Sequence, residues 1–588
     1  MSSPESTNSY DTDVLVVGSG PAGGAAALLL ATYGVRTLLV TKYGWLANTP
    51  RAHITNQRTM EVLRDLGLEA EALAKGTPQE LMGDTVLCTA LAGAEIGRIR
   101  SWGTGPGSAT EYAAASPCGM IDLPQTYLEP ILVTNAAARG AKVRFDTEFL
   151  ELLQDEGGVT AVLRDRVRGD VFTMRARYLI GADGARSIVA EQVGLPIAGQ
   201  SGKAGSMNIV FRADLSRYVA HRPSVLYWVM RPGAHLGGIG MGLVRMIRPW
   251  NEWLLTWGYD IDQPPPEVDE QTAREIVHDL VGDPDVPVEV TSTSLWTVNH
   301  SYATEYSSGR VFCAGDAVHR HPPSNGLGSN TSVQDAHNLA WKLAMVLRGQ
   351  AGPELLDTYT AERAPVGKQV VDRANLSRDQ FLPIFQALGI DGGSDEEGIV
   401  AGLAACRAED ASGAKRRRAL EEAITLKNYE FNAHGVETNL RYASTAVLAD
   451  EDGPAESWDR DPELFHQPST RPGARLPHAW LIDETGHRVS TVDLVGKGRF
   501  SLVTGLCGGV WERAAASSTD LPVHAVRIGA AGARDAYGEW SRLAGIDEDG
   551  CLLVRPDGYV AWRRTGAPRT DEEAATALHA ALDAVLSR

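Results

Sequence analysis

Three glycine-bearing segments hold the residue types and spacings best suited to chemistry. The first, Gly18-Ser19-Gly20-Pro21-Ala22-Gly23, follows the β-branched run Asp13 to Val17 and opens into Ala25 to Tyr33, a stretch of helix formers. Strand, glycine turn and helix in that order predict a dinucleotide-binding unit. Gly18 permits the tight turn, Gly20 lets backbone approach a pyrophosphate, and Gly23 lets helix pack on strand. The positive end of the helix then faces the phosphates. The second segment, Gly181-Ala182-Asp183-Gly184-Ala185-Arg186-Ser187, follows a strand at Tyr178-Leu179-Ile180. The third runs from Gly315-Asp316-Ala317-Val318-His319 through the loop Pro322 to Ser329 into a helical stretch, Ser332 to Leu347. Val333, Ala336, Ala340, Leu343 and Leu347 share one face of that helix. His319 and His321 lack further ligands at zinc spacing, so no metal site is expected.

These segments need a scaffold of several domains. The chain has 588 residues, which is too long for one hydrophobic core. Its 43% hydrophobic and 22% charged residues are ordinary globular usage. The net charge of −19 repels nucleic-acid backbones and anionic lipid, so neither is expected as a partner. Met1 to Tyr10 has no Lys, Arg or apolar run and reads as a frayed tail rather than a targeting peptide. The apolar stretch Gly23 to Gly34 is far shorter than the roughly 20 residues a membrane span needs. The six cysteines include no C-x-x-C pair, so neither a disulfide framework nor a zinc site is expected, and a cytoplasmic location follows most simply. After the second strand, Arg36 to Val40, the chain reads Thr41-Lys42 where an acidic ribose ligand is expected. Either Thr41 or a later group substitutes for it, or the ribose end is held loosely.

Taken together, the G-x-G-x-x-G turn, the Asp183-Gly184 turn and the Gly315-Asp316 segment followed by P-x-x-G-x-G resemble the FAD-dependent aromatic hydroxylases. Thr49-Pro50-Arg51-Ala52-His53-Ile54-Thr55-Asn56-Gln57-Arg58 and the run Asp316 to Thr331 are similar to the chlorophenol and 2-hydroxybiphenyl hydroxylases of the phenol hydroxylase family. The similarity spans about Thr12 to Trp562. It implies an α/β (α+β) fold: a Rossmann-like FAD-binding domain of the glutathione-reductase type, an inserted β-sheet substrate domain and a C-terminal thioredoxin-like domain. The expected division gives the FAD-binding domain 11–80, 111–194 and 291–390, the substrate domain 81–110 and 195–290, a helical linker 391–458, and a last domain 459–588. Where a redox protein carries C-x-x-C, the last domain has Cys507-Gly508-Gly509-Val510, so packing or dimer contacts are its expected role.

The resemblance implies a class A monooxygenase that ortho-hydroxylates a phenol, such as a chlorinated one, with FAD, NAD(P)H and O2 through a flavin C4a-hydroperoxide. A hydroxylase of a larger phenolic or polyketide metabolite has the same motifs, and a non-enzymatic flavin or nucleotide sensor is a third reading. By motif position, Gly18, Gly20, Gly23, Arg51, Gln125, Asp183, Asp316, Gly326, Gly328 and Asn330 are expected to bind cofactor, with Asp316 on the ribityl chain. His53 is the expected general base and Pro323 the second catalytic element, in the flavin-side loop that begins at Pro322. Arg245 and Arg248 are expected nicotinamide contacts. Tyr227, Trp228 and Pro322 are expected to line the substrate pocket. A homodimer is the expected assembly.

Overall fold

The computed structural model describes residues 10–232, 241–390, 394–450 and 456–588. The expected N-terminal tail, Tyr10 excepted, and the start of the expected helical linker lie outside the described residues. Thr12–Val17, Thr37–Val40 and Lys142–Arg144 pair in parallel on one side of a mixed sheet. Thr12–Val17 also pairs with Val171–Gly181, which continues to Val311–Cys313. The three glycine segments therefore leave adjacent strands at one sheet edge. This is the geometric reason that distant stretches of sequence meet at one ligand.

The helix Pro21–Thr32 is buried nearly all round, and Leu28, Leu29 and Leu30 expose no surface. Burying these three side chains contributes roughly 5–9 kcal/mol before the entropy of ordering them. The turn before the helix admits no side chain at Gly18: its φ is +105°, and a Cβ there would lie 2.2 Å from the Ala182 carbonyl oxygen. The third helix starts at Gly328, earlier than the periodicity predicts, and runs to Leu347. Its polar first turn, Gly328-Ser329-Asn330-Thr331, hides the start from a reading based on apolar spacing.

A second eight-stranded sheet packs beside the first. Its strand order is His319–Arg320, Glu289–Ala303, Ile197–Arg212, Glu252–Tyr259, Gly242–Arg248, Leu226–Val229, Asp84–Cys88 and Glu95–Arg100. The helices Leu382–Leu388, Glu396–Arg407 and Ala411–Thr425 close over this sheet, and Ile384, Leu388, Ile399, Leu403 and Leu420 join its core. The last unit is a four-stranded mixed sheet, His524–Arg527, Ser501–Thr504, Cys551–Val554 and Val560–Arg564, with Gly509–Ser517 and Asp571–Val585 as its helices. Cys507 is exposed in the turn before the first of these helices.

Buried ion pairs join this unit to the rest of the chain. Arg58 donates to the Asp557 carbonyl at 2.7 Å, Arg475 pairs with Glu61, and Glu362 receives both Lys342 and Arg555. Burial alone would raise the Glu362 carboxyl, but Arg555 and Lys342 hold it well below the usual range. Removing one partner from such a set costs about 3–5 kcal/mol. Among the described residues no helix is long and apolar enough to cross a membrane.

Candidate active site

A two-residue ladder assembles the reactive centre. Ile54 pairs with Asp122 and Thr55 with Ile121, while Leu123 N–H donates to the His53 carbonyl at 2.6 Å. His53 and Asp122 are thus adjacent although far apart in sequence. His53 Nε2 lies 2.8 Å from the Pro50 carbonyl oxygen, and His53 Nδ1 lies 3.4 Å from Asp122 Oδ1. Arg245, from the strand Gly242–Arg248, donates to Asp122 Oδ2 at 2.8 Å.

The tautomer follows from hydrogen-bond roles. A carbonyl only accepts, so His53 Nε2 carries the proton and Nδ1 holds the lone pair. His53 Nδ1 and Asp122 Oδ1 then face each other as two acceptors, both buried and without a donor. Burial, then the Arg245 charge, lowers the His53 pKa below its usual 6.5. Burial by itself would raise the Asp122 carboxyl, but Arg245 and then His53 hold it below its ordinary value. The centre therefore sets an imidazole whose charged form is disfavoured against a carboxylate whose charged form is favoured.

The cofactor cradle has the features an anionic dinucleotide needs. The helix Pro21–Thr32 has Gly20 at its N-cap and no side chain bonded to its free N–H groups. A Cβ on Gly20 would meet only Glu129 Oε1, at 3.9 Å, so the space above the helix start is open. Arg51 and Asp316 are exposed, while Gly315 and Ala317 on either side of Asp316 are buried. The Gly315 N–H is fixed by Asp335 Oδ2 at 3.0 Å, and the same carboxylate receives His319 and Arg363. Gln125 donates to Glu129 Oε1 at 2.6 Å and accepts from Ala52 N–H at 3.4 Å. The other oxygen of Glu129 takes the Ala47 N–H at 2.6 Å. The helix Gly328–Leu347 likewise has no side-chain cap. Two helix N-termini without side-chain caps, an exposed carboxylate and an exposed guanidinium whose Nε is held by Thr49 Oγ1 fit FAD.

Several expected residues have different immediate work. The Asp183 carboxylate accepts from Ser187 Oγ, Ile188 N–H and Val189 N–H, so it holds the turn and the start of the helix Ile188–Gln192. Asn330 donates to the carbonyls of Ile54 and Gly326 and accepts from Asn56 N–H, stapling the Pro/Gly loop to the His53 segment. At Gly326, φ is +63° and a Cβ would stand 2.8 Å from that of Ile54, so only glycine allows this approach. Gly328 lies beside the His321 ring.

Arg245 and Arg248 are not open cations awaiting a nicotinamide. Arg245 is drawn inward by Asp122, and Arg248 donates to the Lys75 carbonyl while stacking at 3.9 Å on Tyr127. Tyr227 points into the core, where its hydroxyl bonds the Arg222 carbonyl. Trp228 lies on the opposite face of that strand, 4.4 Å from the Phe381 ring. Trp102 packs edge-on against Phe431 at 5.4 Å, and these rings share one buried cluster with Ile54, with the Lys427 ammonium over Phe381 and Phe431. Pro322 is buried and Pro323 exposed.

Sequence reasoning missed Asp122, Trp102, Phe381 and Phe431. Asp122 had one available signal: it immediately precedes Leu123-Pro124-Gln125, a segment already assigned to the cofactor.

The comparisons with known proteins agree with this geometry. Residues 11–374 match the family described as FAD binding domain, and residues 469–588 match aromatic-ring hydroxylase, C-terminal. The 2,4-dichlorophenol 6-monooxygenase of Cupriavidus pinatubonensis is 56% identical over 583 residues, covering 98% of this chain and 97% of the relative. The flavin-dependent monooxygenase PieE, solved with FAD and substrate, superposes with a TM-score of 0.93 at 44% identity, covering 98% of this chain and 100% of that one. Aklavinone-11 hydroxylase, solved with FAD and aklavinone, gives 0.79 at 32% identity, covering 99% and 100%. Family matches over most of its length and a relative more than half identical from end to end place this chain in the family of FAD-dependent aromatic-ring monooxygenases.

Proposed function

We propose that this enzyme hydroxylates a phenol ortho to its hydroxyl group, using O2 and NAD(P)H, and that His53 is the general base. The observation that carries the reading is the pair of facing acceptors, His53 Nδ1 and Asp122 Oδ1, 3.4 Å apart in a buried site. A phenol hydroxyl placed at Nδ1 supplies the missing donor. Bound FAD would supply the redox chemistry that links NAD(P)H to O2.

The chain's own residues make the ring reactive. A phenol of pKa near 10 facing an imidazole near 6.5 leaves proton transfer uphill by about 5 kcal/mol. Burial of His53 widens that gap, and Asp122 narrows it again. At 3.4 Å and an effective dielectric constant of about 20, the carboxylate attracts the forming imidazolium by about 5 kcal/mol. Arg245 keeps Asp122 ionised so that this attraction is available. As the proton moves to Nδ1, charge spreads into the ring and its ortho carbon becomes nucleophilic. Trp102, Trp228, Phe381 and Phe431 keep water from the reacting oxygen. Arg51, Gln125 and Asp316 would hold the cofactor, with Pro322 and Pro323 beside it.

The relative with the dichlorophenol name supports a substituted or chlorinated phenol as substrate. The neighbour solved with aklavinone supports a larger phenolic metabolite as the second reading. A cytoplasmic homodimer completes the proposal, and light scattering of the purified holoenzyme tests its assembly. The activity is tested by screening phenols for stimulated NADH and NADPH oxidation together with product mass. A product heavier by one oxygen atom is the expected result. If no phenol in the screen gains oxygen, the proposal fails.

A further inference from the structure

The sheet face that carries Arg245 also carries a second polar anchor. Register places Trp228, Leu243, Thr256 and Asn208 in one row across four neighbouring strands, with Ser294 next to Asn208. Arg245 lies two residues along its strand from Leu243, so its side chain and that of Asn208 leave the same face. Because Arg245 reaches Asp122, this is the face turned toward the reaction centre.

Asn208 is about nine-tenths buried, and its carboxamide orientation is forced by chemistry. Trp296 Nε1–H, which can only donate, lies 3.0 Å from Asn208 Oδ1, and Thr256 Oγ donates to the same oxygen at 3.0 Å. The amide oxygen is thereby saturated and the Nδ2 group points the other way. Both hydrogen bonds of Asn208 end on its oxygen, and among the described residues nothing accepts from Nδ2. A buried amide held in one orientation by two donors, with its own two N–H groups free, is arranged to meet an acceptor from outside the chain.

We propose that Asn208 determines specificity by donating to an oxygen of the substrate remote from the phenolic hydroxyl, and that Thr256 and Trp296 position it. Arg245 and Asn208 are separated by two strand spacings and two residues, roughly 12 Å between Cα atoms. The second anchor thus stands apart from the Arg245–Asp122 pair, and it favours phenols that carry a carbonyl or hydroxyl oxygen on a second ring or side arm. This inference rests on the reading of the site as phenol-binding and, within it, favours the larger phenolic substrate over a simple chlorinated phenol.

The test is ligand binding to the FAD-loaded enzyme, read from perturbation of the flavin absorbance and so independent of turnover. The probes are 4-hydroxybenzophenone and 4-benzylphenol, which differ by a carbonyl in place of a methylene. Asn208→Leu should weaken the ketone by about tenfold while changing the methylene compound by less than about twofold. Trp296→Phe, which keeps the ring and removes the N–H, should weaken the ketone selectively but less, because the amide is then free to turn. Equal losses for both ligands, or no loss for either, would overturn the role of Asn208. So would a wild-type enzyme that binds the ketone no better than its partner. Failure of the phenol-hydroxylation proposal appears separately, as absence of oxygenated product from any phenol.

Discussion

Asp122→Asn removes the charge on which the proposed base depends. The substitution preserves side-chain shape and leaves an amide oxygen to accept from Arg245; it removes one negative charge and turns an N–H donor toward His53 Nδ1, and both changes disfavour a proton on that nitrogen. That charge stands 3.4 Å from His53 Nδ1 and attracts a full imidazolium by about 5 kcal/mol at an effective dielectric constant of about 20. If about half of the proton's charge has arrived at the transition state, the loss is about 2–3 kcal/mol, or roughly a hundredfold in hydroxylation rate.

A series of phenols of falling pKa, assayed at one pH with FAD-saturated protein, separates this effect from general damage. A phenol already ionised at the assay pH needs no base. The deficit of Asp122→Asn should therefore shrink from about a hundredfold for neutral phenols toward none for ionised ones. Flavin absorbance and FAD affinity should match the wild type throughout. An equal deficit for neutral and ionised phenols would refute the argument, because it would mean that the carboxylate acts by holding structure rather than by favouring the proton on His53.

Three other expectations follow from the same structure. Burial and Arg245 lower the His53 pKa, so the acid limb of kcat/KM should have its midpoint below 6.5 and the rate should be level above it until another group titrates; His53→Gln should abolish the limb with flavin retained. Asp316→Ala should weaken FAD retention, measured as free flavin after gel filtration, and a variant that stays fully yellow would contradict the assignment. Among the described residues no charged group pairs with Glu437, and burial raises its pKa from 4.5 to about 8. The folded state then holds the proton that the unfolded state releases, so stability falls as pH rises from about 4.5 to about 8, by at most about 5 kcal/mol. Glu437→Gln should flatten the dependence of Tm on pH over that window, and an unchanged slope would remove the explanation.

The cofactor cradle was legible in sequence because its signals are local. Gly18, Gly20 and Gly23 sit between a strand and a helix, and Gly315-Asp316 precedes a proline-pinned loop; each carries its meaning within about ten residues. The reaction centre was legible only in part. His53 was reachable through its motif, whereas Asp122 sits in a two-residue strand with no periodicity, and its importance arises only when Ile54 pairs with it. Arg245 was expected to meet the nicotinamide; its side chain leaves the inner face of its sheet, where a carboxylate contributed from elsewhere in the chain pairs with it. The side chains of Asp183 and Asn330, expected at the cofactor, hydrogen-bond the turns in which they sit.

That contrast explains why the full chain is needed for so small a centre. The proposed base comes from the loop before the helix Gln57–Asp65, its carboxylate from the strand Ile121–Asp122, and the guanidinium from the second eight-stranded sheet. None of the three can find its partner locally, so their alignment depends on how the two sheets dock. The helix that follows His53 is in turn fixed from outside: Glu61 takes Arg58 and Arg475, and Arg58 reaches the Asp557 carbonyl of the last unit. Buried ion pairs of this kind lose several kcal/mol when one member is removed. The C-terminal unit is thereby tied by buried contacts to the helix that follows His53, the proposed base.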